Sequence, residues 1–293
     1  MLSLLAATAA AHEPIQWAEL GLRPYLFEIG SFQLRYYSLA YLFGILFAYW
    51  HLSKMIKAPG APLAQRHADD LFFYGTLGVI LGGRLGYAAF YQPELFGGVQ
   101  LFQLWNGGMS FHGGLIGVVL AIAWVSWRGG LNFLRVCDYV SVSVPFAYFP
   151  GRIANFINGE LWGRAVESDV PWAMVFPGGG DVARHPSQLY QAGLEGLLLG
   201  VIMLVAFWST RARYRVGFLV GLFTTGMGLG RFVNEYFREP DAYLAYVVTE
   251  TGLSRGQWLS LPMIALGLAL IAYSLLRPPV GGARKPAATL QSA

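Results

Sequence analysis

The chain has 293 residues, of which 55% are hydrophobic and only 12% are charged, and its net charge is +4. Soluble proteins carry roughly 25% charged residues, so this composition excludes a soluble globular protein and favours a membrane protein. The small positive excess is typical of inward-facing loops and does not indicate nucleic-acid binding, and the single cysteine, Cys137, excludes an internal disulfide.

Apolar windows predict an all-α, polytopic membrane protein with about seven transmembrane helices. The predicted spans are residues 36–53, 71–91, 109–127, 136–156, 190–208, 217–237 and 258–276. Residues 1–35 precede this membrane domain of 36–277 and begin with a short amphipathic or disordered lead-in. The longest connection, 157–189, is a candidate arm, because long loops often carry function. The Pro-, Ala- and Gly-rich tail, 278–293, is predicted to be disordered.

The distribution of Lys and Arg predicts the orientation of the spans. Positive residues collect on the cytoplasmic side of membrane proteins, and most of them here fall into alternate connections. These residues are Lys54, Lys57, Arg66, Arg128, Arg135, Arg211, Arg213, Arg215, Arg277, Arg284 and Lys285. We therefore expect the N-terminus outside and the C-terminus in the cytoplasm, with the RARYR run at 211–215 as the firmest indication.

In this orientation a group of polar residues within the spans falls in the outer half of the membrane. They are Tyr36, Tyr37, Arg84, His112, Arg152, Asn155, Glu195, Arg231 and Glu235. Polar side chains that serve packing alone have no reason to prefer one leaflet. The pattern predicts a polar site on the outer side.

Three of these groups are arginines, and each costs roughly 2.5–3.5 kcal/mol at a helix centre. A guanidinium carries a fork of donors that matches phosphate or carboxylate, so a phospholipid headgroup is the expected ligand. Arg231 could instead pair with Glu235 four residues on, and Arg84 could serve packing. Arg152 has no carboxylate at a helical spacing, which favours a ligand role.

The fourth span is predicted to be broken near its outer end. Pro145 and Pro150 lack backbone donors, and Gly151 follows at once. A break at membrane depth is tolerated where it lines a wet cavity or lies within protein. Arg152 and Asn155 share a helical face just beyond this point, so we expect the break to direct them toward a ligand.

His112 stands between two glycine pairs in GGMSFHGGLIG, residues 107–117. It could act as a general base, donate to a phosphate, or cap a helix. Ser110 lies two residues away, a spacing that points the side chains apart and excludes a Ser–His dyad on one helix. Neither a metal motif nor a nucleotide-binding loop is present in the sequence, so no metal or other cofactor is predicted.

GRIANFINGELWGR, residues 151–164, resembles the signature of the bacterial prolipoprotein diacylglyceryl transferase family. Five further motifs resemble the family in the same order along the chain. They are LRYYSLAYLFG, LGGRLGY, GGMSFHGGLIG, RHPSQLY and GRFVNEYFREPD. The resemblance covers about residues 25 to 276, and the motif at 151–164 is highly specific.

The resemblance implies an enzyme of the bacterial inner membrane with its active site facing the periplasmic leaflet. It implies transfer of the diacylglyceryl group of phosphatidylglycerol to the lipobox cysteine thiol in the signal peptide of a prolipoprotein. Glycerol 1-phosphate would leave and a thioether would remain. A non-catalytic protein that binds or translocates phospholipid would use the same arginines and stays open as an alternative.

The predicted site follows from the resemblance together with the residues themselves. The expected catalytic residues are Tyr37, His112, Arg152 and Arg231, and the expected substrate-binding residues are Arg84, Arg152, Asn155, Asn158, Glu160, Gly163 and Glu235. His112 is the expected base, although a thiolate stabilised by arginine alone is an alternative. In GMGLGR, Met227 stands where the family often has tyrosine, so no role of that tyrosine can be transferred.

Overall fold

The structure is a computed structural model that describes residues 13–30, 32–166, 170–240 and 245–281. The predicted lead-in at residues 1–12 and the tail from residue 282 lie outside this part of the chain. The described residues form a mostly helical protein.

Eleven α-helices are described. They are α1 (Tyr36–Met55), α2 (Gln65–Leu77), α3 (Gly83–Phe90), α4 (Phe111–Gly129), α5 (Phe133–Ser141), α6 (Val144–Ile157), α7 (Ser187–Gln191), α8 (Leu199–Ser209), α9 (Phe218–Asn234), α10 (Ala245–Thr251) and α11 (Arg255–Leu275). A π-helical segment at Gly78–Gly82 joins α2 to α3, and another at Ala192–Leu198 joins α7 to α8.

Helices occupy all seven predicted windows within the described residues. Three of the described helices are long and apolar enough to cross a membrane: Phe111–Gly129, Ser187–Ser209 and Arg255–Leu275, with mean hydropathies of 1.3, 1.9 and 1.8. These helices are consistent with a membrane protein. The number of crossings and the positions of the termini stay predictions.

The predicted break in the fourth span is wrong in its position. The helix is interrupted between α5 and α6, before Pro145, and α6 continues through Pro150 and Gly151 to Ile157. Pro145 is tolerated because it lies in the first turn of α6, where backbone N–H groups have no helical partner. Arg152 and Asn155 therefore lie well inside a continuous helix, not just beyond a break.

The all-α prediction also needs a correction, because two short sheets are present. β1 (Ile15–Gln16) pairs in parallel with β4 (Met174–Val175), and β2 (Tyr25–Ile29) pairs with β3 (Phe32–Arg35) as an antiparallel hairpin. The strands are two to five residues long. Segments this short carry too little periodicity to be recognised in sequence.

The chain divides into two compact units. Unit one comprises Met1–Gly44, Pro145–Ile202 and Phe223–Leu268, and unit two comprises Ile45–Val144, Met203–Leu222 and Ala269–Ala293. Both units are made of several chain segments, so neither follows from a simple boundary in sequence.

In unit two, glycines bring one helix directly against another. The helical stretch from α2 to α3 meets α4 through Gly78 and Gly82, which lie against the backbone of Gly117 and Gly113. A Cβ at any of these four positions would overlap a backbone carbonyl. Such small-residue contacts are the usual means of close helix packing in membranes. They explain the glycines that surround Arg84 and His112 in sequence.

Unit two also contains a buried carboxylate that caps a helix. Asp138 is fully buried and accepts hydrogen bonds from the backbone N–H groups of Gly217, at 2.7 Å, and Val220, at 3.0 Å. These groups lie at the start of α9, where unpaired donors and the helix dipole favour an anion. Nearby in the chain, Arg135 donates to the carbonyl oxygens of Gly60 and Arg213.

Candidate active site

The motif at 151–164 forms a polar chain at the end of α6 in unit one. Arg152 Nη1 donates to Asn155 Oδ1 at 3.0 Å, and Asn155 Nδ2 donates to Glu160 Oε1 at 2.7 Å. Asn158 Nδ2 reaches the same Glu160 oxygen at 3.0 Å. Four residues predicted for one site are thus joined by direct hydrogen bonds. Glu160 and Asn155 fix the position of the Arg152 guanidinium.

Neighbouring segments of unit one hold this motif. Trp17 Nε1 donates to the carbonyl oxygen of Phe156 at 2.9 Å. From α7, Gln188 Nε2 donates to the carbonyl oxygen of Glu160 at 2.6 Å, and Ser187 Oγ to that of Leu161 at 3.0 Å. All three bonds end on backbone carbonyl oxygens of the motif, so they hold its main chain in place without using its side chains.

Arg152 also lies on an aromatic surface that the sequence did not predict. Its guanidinium carbon is 4.6 Å from the centre of the Tyr148 ring, a cation–π contact. Gln191 Nε2 donates to the Tyr148 hydroxyl at 3.2 Å and to Glu195 Oε1 at 3.1 Å. Tyr148 and Gln191 were missed, but Gln191 and Glu195 lie four apart in an apolar window, a spacing that marks a polar helix face.

Arg231 forms the ion pair that its spacing allowed. Its Nη2 lies 2.6 Å from Glu235 Oε1. Glu235 also lies 3.4 Å from Arg238 Nη1 and accepts from Ser254 Oγ at 2.7 Å. Its carboxylate fills the space that a side chain at Gly256 would occupy, in the first turn of α11. Glu235 therefore anchors Arg231 to the start of α11, where a helix N-terminus favours a carboxylate.

Glu195 connects the two arginines. It is 1% exposed, and both Arg152 and Arg231 act on it electrostatically. Gly230, the residue before Arg231, has no room for a Cβ because the Glu195 side chain occupies that space. The sequence placed Glu195 among the polar residues of the outer half but not in the predicted site. The structure places it near two predicted catalytic residues, and its hydrogen bond comes from Gln191.

Tyr37 belongs to the same group. Its hydroxyl lies 3.3 Å from that of Tyr41, and the two rings meet edge to face at 5.1 Å. Tyr37 interacts electrostatically with Arg152 and Glu160, and 38% of its surface is exposed. A phenol so placed is available to a ligand beside the Arg152 guanidinium.

Gly163 is surrounded by backbone rather than by open space. Its N–H donates to the carbonyl oxygen of His185 at 2.8 Å, and it pairs with Arg238 in an isolated bridge. A Cβ on Gly163 would overlap the carbonyl oxygens of His185 and Phe237. This residue was predicted to bind substrate. Its contacts show that it also permits close approach of two other segments.

Arg84 lies in unit two, and the structure gives all of its donors to the protein. Nε donates to the carbonyl oxygen of Leu101 at 2.9 Å. Nη1 and Nη2 donate to the carbonyl oxygens of Gly107, Gly108, Gln100 and Gln103 at 2.5–3.4 Å. Five carbonyls match the five N–H groups of a guanidinium. The predicted substrate contact of Arg84 stays a prediction, and these bonds favour the packing alternative.

His112 also lies in unit two, where it is the second residue of α4 and is exposed. The helix begins with Ser110 as its N-cap, whose hydroxyl accepts from the N–H of Gly113 at 3.3 Å. Ser110, not His112, therefore caps α4. The capping alternative for His112 is removed, and its function as base or donor stays open.

Met227 lies half-buried on α9, four residues before Arg231. This spacing places both side chains on one face of the helix. A thioether there provides apolar surface but no hydrogen-bond donor.

The fold and this group of residues define a class of protein. The chain is a helical, membrane-type protein. Two helices of its unit one carry the partly buried guanidinium groups of Arg152 and Arg231, one hydrogen-bonded to an amide and one paired with a carboxylate. Such a group suits an anionic ligand in an apolar setting.

Comparison with known proteins narrows this class to a family. The family described as prolipoprotein diacylglyceryl transferase matches residues 24–273. The chain is 66% identical over 279 residues to the phosphatidylglycerol–prolipoprotein diacylglyceryl transferase of Erythrobacter litoralis (strain HTCC2594), covering 95% of this chain and 98% of the relative.

Two further relatives with the same description agree. That of Zymomonas mobilis subsp. mobilis (strain ATCC 31821 / ZM4 / CP4) is 46% identical over 273 residues, or 90% of this chain and 94% of the relative. That of Vibrio vulnificus (strain YJ016) is 49% identical over 256 residues, or 87% and 92%. The chain therefore belongs to the prolipoprotein diacylglyceryl transferase family and is a transferase of lipoprotein biosynthesis. The resemblance inferred from the motifs is confirmed.

Proposed function

We propose that the protein transfers the diacylglyceryl group of phosphatidylglycerol to the lipobox cysteine thiol of prolipoproteins. The family and the names of the relatives support both substrates. The observation that carries the proposal is the hydrogen-bonded group around Arg152, which lies inside the family's most specific motif. No cofactor is required by the chemistry.

The reaction is a displacement at carbon. The sulfur of the cysteine thiolate attacks the diacylglyceryl carbon that bears the phosphate ester, a carbon–sulfur bond forms, and the carbon–oxygen bond breaks. Glycerol 1-phosphate leaves with the bonding electrons, and the thiol proton passes to a base. The thiolate is the reactive form of cysteine. Charge that develops on the leaving phosphate is the part of the transition state that fixed donors stabilise best.

Arg152 and Arg231 are the groups that would hold this phosphate. Arg152 gives one of its five N–H groups to Asn155 among the described contacts, so a bidentate face is available to phosphate oxygens. Arg231 is held by Glu235 at 2.6 Å. Their common neighbour Glu195 interacts electrostatically with both arginines. When ionised, its carboxylate would oppose a bound phosphate and so favour release of a dianionic product.

The remaining predicted residues would orient the headgroup. Asn155 and Tyr37 offer an amide and a phenol beside Arg152, within reach of glycerol hydroxyls. Asn158 and Glu160 fix Asn155, and Gly163 permits the chain path. These assignments rest on the hydrogen bonds of unit one and are proposals for each residue.

His112 is the proposed base. The test replaces His112 with Gln in purified enzyme and follows thioether formation against pH. We expect a fall in turnover of about a hundredfold, the usual contribution of a general base, with a changed pH profile. Near-normal turnover with an unchanged profile would leave the arginine-stabilised thiolate as the mechanism.

One assay tests the proposed function as a whole. Purified protein is mixed with phosphatidylglycerol vesicles and a lipobox peptide that carries either Cys or Ser at the acceptor position. We expect modification of the Cys peptide only, with one glycerol 1-phosphate released per thioether formed. Lipid binding without modification of either peptide would instead identify a lipid-binding or translocating protein.

We also propose the predicted topology: seven spans in the bacterial inner membrane, the N-terminus and the 157–189 arm outside, and the active site toward the periplasmic leaflet. The chain has one cysteine, so Cys137→Ala gives a background for labelling. In spheroplasts, a membrane-impermeant thiol reagent should label Asp181→Cys and not Arg211→Cys. The reverse pattern would overturn the orientation.

A further inference from the structure

A pocket with aromatic walls lies in unit one beside the residues described above. Its volume is about 350 Å³, and its lining residues are Val170, Trp172, His185, Tyr190, Leu194 and Phe237. This volume is near the lower end of ligand pockets, roughly 300–1,000 Å³. It suits one or two apolar side chains rather than a whole lipid.

We propose that this aromatic pocket binds an apolar side chain of the prolipoprotein close to its acceptor cysteine. The inference rests on the proposed function, because it presumes a peptide substrate. It adds a recognition site for that peptide, separate from the arginines that would hold the lipid phosphate.

Three polar atoms of the walls are engaged with one another. Trp172 Nε1 donates to the Tyr190 hydroxyl at 2.6 Å, and His185 Nδ1 lies 3.1 Å from the same hydroxyl. Phe237 packs edge to face on both His185 and Tyr190, at 5.2 and 5.4 Å between ring centres. Because a tryptophan has a single N–H donor, its polar atom is fully used. The walls therefore present ring faces and edges, which favour an apolar guest.

The charge state of His185 agrees with this. Burial lowers the pKa of His185 from its ordinary value of about 6.5, so its ring is neutral at pH 7. A neutral imidazole adds no charge to the pocket.

The wall of the pocket adjoins the 151–164 motif. Gly163, in the 151–164 motif, lies against the backbone of both His185 and Phe237. The N–H of the next residue, Arg164, donates to the carbonyl oxygen of Phe237 at 2.8 Å. Phe237 follows Glu235 by two residues. A peptide whose apolar side chain occupied the pocket would bring its neighbouring residues toward the Arg231–Glu235 pair.

The position in the chain favours a peptide over an acyl chain. Val170, Trp172 and His185 belong to the arm, which the proposed topology places outside the hydrocarbon. The other lining residues, Tyr190, Leu194 and Phe237, lie toward the outer ends of the predicted spans 190–208 and 217–237. An acyl chain would meet the pocket only at this outer boundary, whereas the exposed part of a signal peptide lies at this level. Trp172, which is 55% exposed, stands at the edge of the pocket.

The test is a kinetic comparison with full-length enzyme in phosphatidylglycerol vesicles. Trp172→Ala should raise KM for a lipobox peptide about tenfold, since a truncated aromatic wall loses most of its contact with the guest. KM for phosphatidylglycerol should not change. Apolar residues near the acceptor cysteine are then replaced by Ser one at a time. With wild-type enzyme, the KM for one of these Ser peptides should rise by a similar factor. With that same peptide, Trp172→Ala should raise KM little further.

A matched control separates recognition from membrane anchoring. Trp105, which is 80% exposed and lies in unit two, is replaced by Ala. An equal effect of both substitutions would reduce Trp172 to an interfacial anchor, and a raised KM for the lipid would make the pocket an acyl site. Either result overturns the proposal, as does an unchanged peptide KM in Trp172→Ala. Absence of transfer by the wild type would instead overturn the proposed function.

Discussion

Arg84 and Arg152 are two arginines in apolar helices with opposite surroundings. Arg84 is 6% exposed, and five backbone carbonyls of unit two accept its hydrogen bonds. Arg152, in unit one, donates to one amide oxygen and lies on one aromatic ring among the described contacts. In sequence the two look alike, because both follow glycine in an apolar window.

The difference shows that an arginine in an apolar setting can serve either the fold or a ligand. A guanidinium with five carbonyl partners is satisfied by the fold and holds the 97–108 loop in place. A guanidinium that keeps several N–H donors free is costly in an apolar setting, and binding of a ligand accounts for that cost. The number of donors that remain available, not the position in the membrane, separates the two cases.

The largest expected effect is loss of activity in Arg152→Lys. Lysine keeps the charge but loses the bidentate fork and the flat contact with Tyr148. We expect kcat/KM to fall about a hundredfold, as on removal of one oxyanion donor, with no change in thermal stability. Arg35→Lys, at an exposed position in β3, is the matched control. Unchanged kcat/KM in Arg152→Lys would abolish the contrast with Arg84.

Arg84→Gln should show the converse behaviour. Loss of the guanidinium leaves buried carbonyls unpaired, so we expect a loss of about 3 kcal/mol in the free energy of unfolding. Thermal unfolding in detergent measures this loss, and the activity of each folded molecule should be retained. A stable Arg84→Gln protein with impaired lipid binding would restore Arg84 to the substrate site.

Glu195→Gln sharpens the comparison on the Arg152 side. Glutamine keeps an acceptor for Gln191 but removes the carboxylate that interacts electrostatically with both arginines. We expect glycerol 1-phosphate to inhibit about tenfold more strongly, equivalent to about 1.4 kcal/mol. Glu239→Gln, which removes a charge paired with Arg184 at 3.2 Å, is the control and should leave inhibition as it is. Weaker inhibition in Glu195→Gln would show that Glu195 does not oppose the phosphate.

The smallest effect is expected at Met227. Met227 donates no hydrogen bond, and Arg231 is paired with Glu235 without help from this position. The site therefore does not depend on a phenol at residue 227. Met227→Tyr and Met227→Phe should therefore have equal kcat/KM values, within about twofold for substitutions that touch no named interaction. A clear advantage of tyrosine over phenylalanine would show that a hydroxyl at this position takes part in the reaction.

Much of the helical part of the fold was predictable. The helical windows were found because a long apolar run in a chain with so little charge forms a helix, which satisfies its backbone hydrogen bonds internally. The strands at Ile15–Gln16 and Met174–Val175 were not, since their pairing joins segments far apart in sequence. The helix break was placed too late because Pro150 and Gly151 were interpreted as breakers, although α6 continues through both.

The candidate site was predictable in its residues and not in its connections. Arg152, Asn155 and Glu160 were recognised from one motif, and local spacing also allowed the Arg231–Glu235 pair. Tyr148 was missed because a tyrosine in an apolar run is ordinary. Its function appears only when the Arg152 guanidinium is found on its ring.

By itself, the sequence determined the class of protein, the family and the polar residues of the motifs, because composition and short-range spacing are properties of the chain. Only the tertiary structure decided which arginine is satisfied, that Glu195 lies near both Arg152 and Arg231, and that Gly163 brings an aromatic pocket against the motif. Those outcomes depend on which backbone carbonyls, rings and carboxylates meet across distant segments, and hydrogen bonds and ion pairs act only at contact.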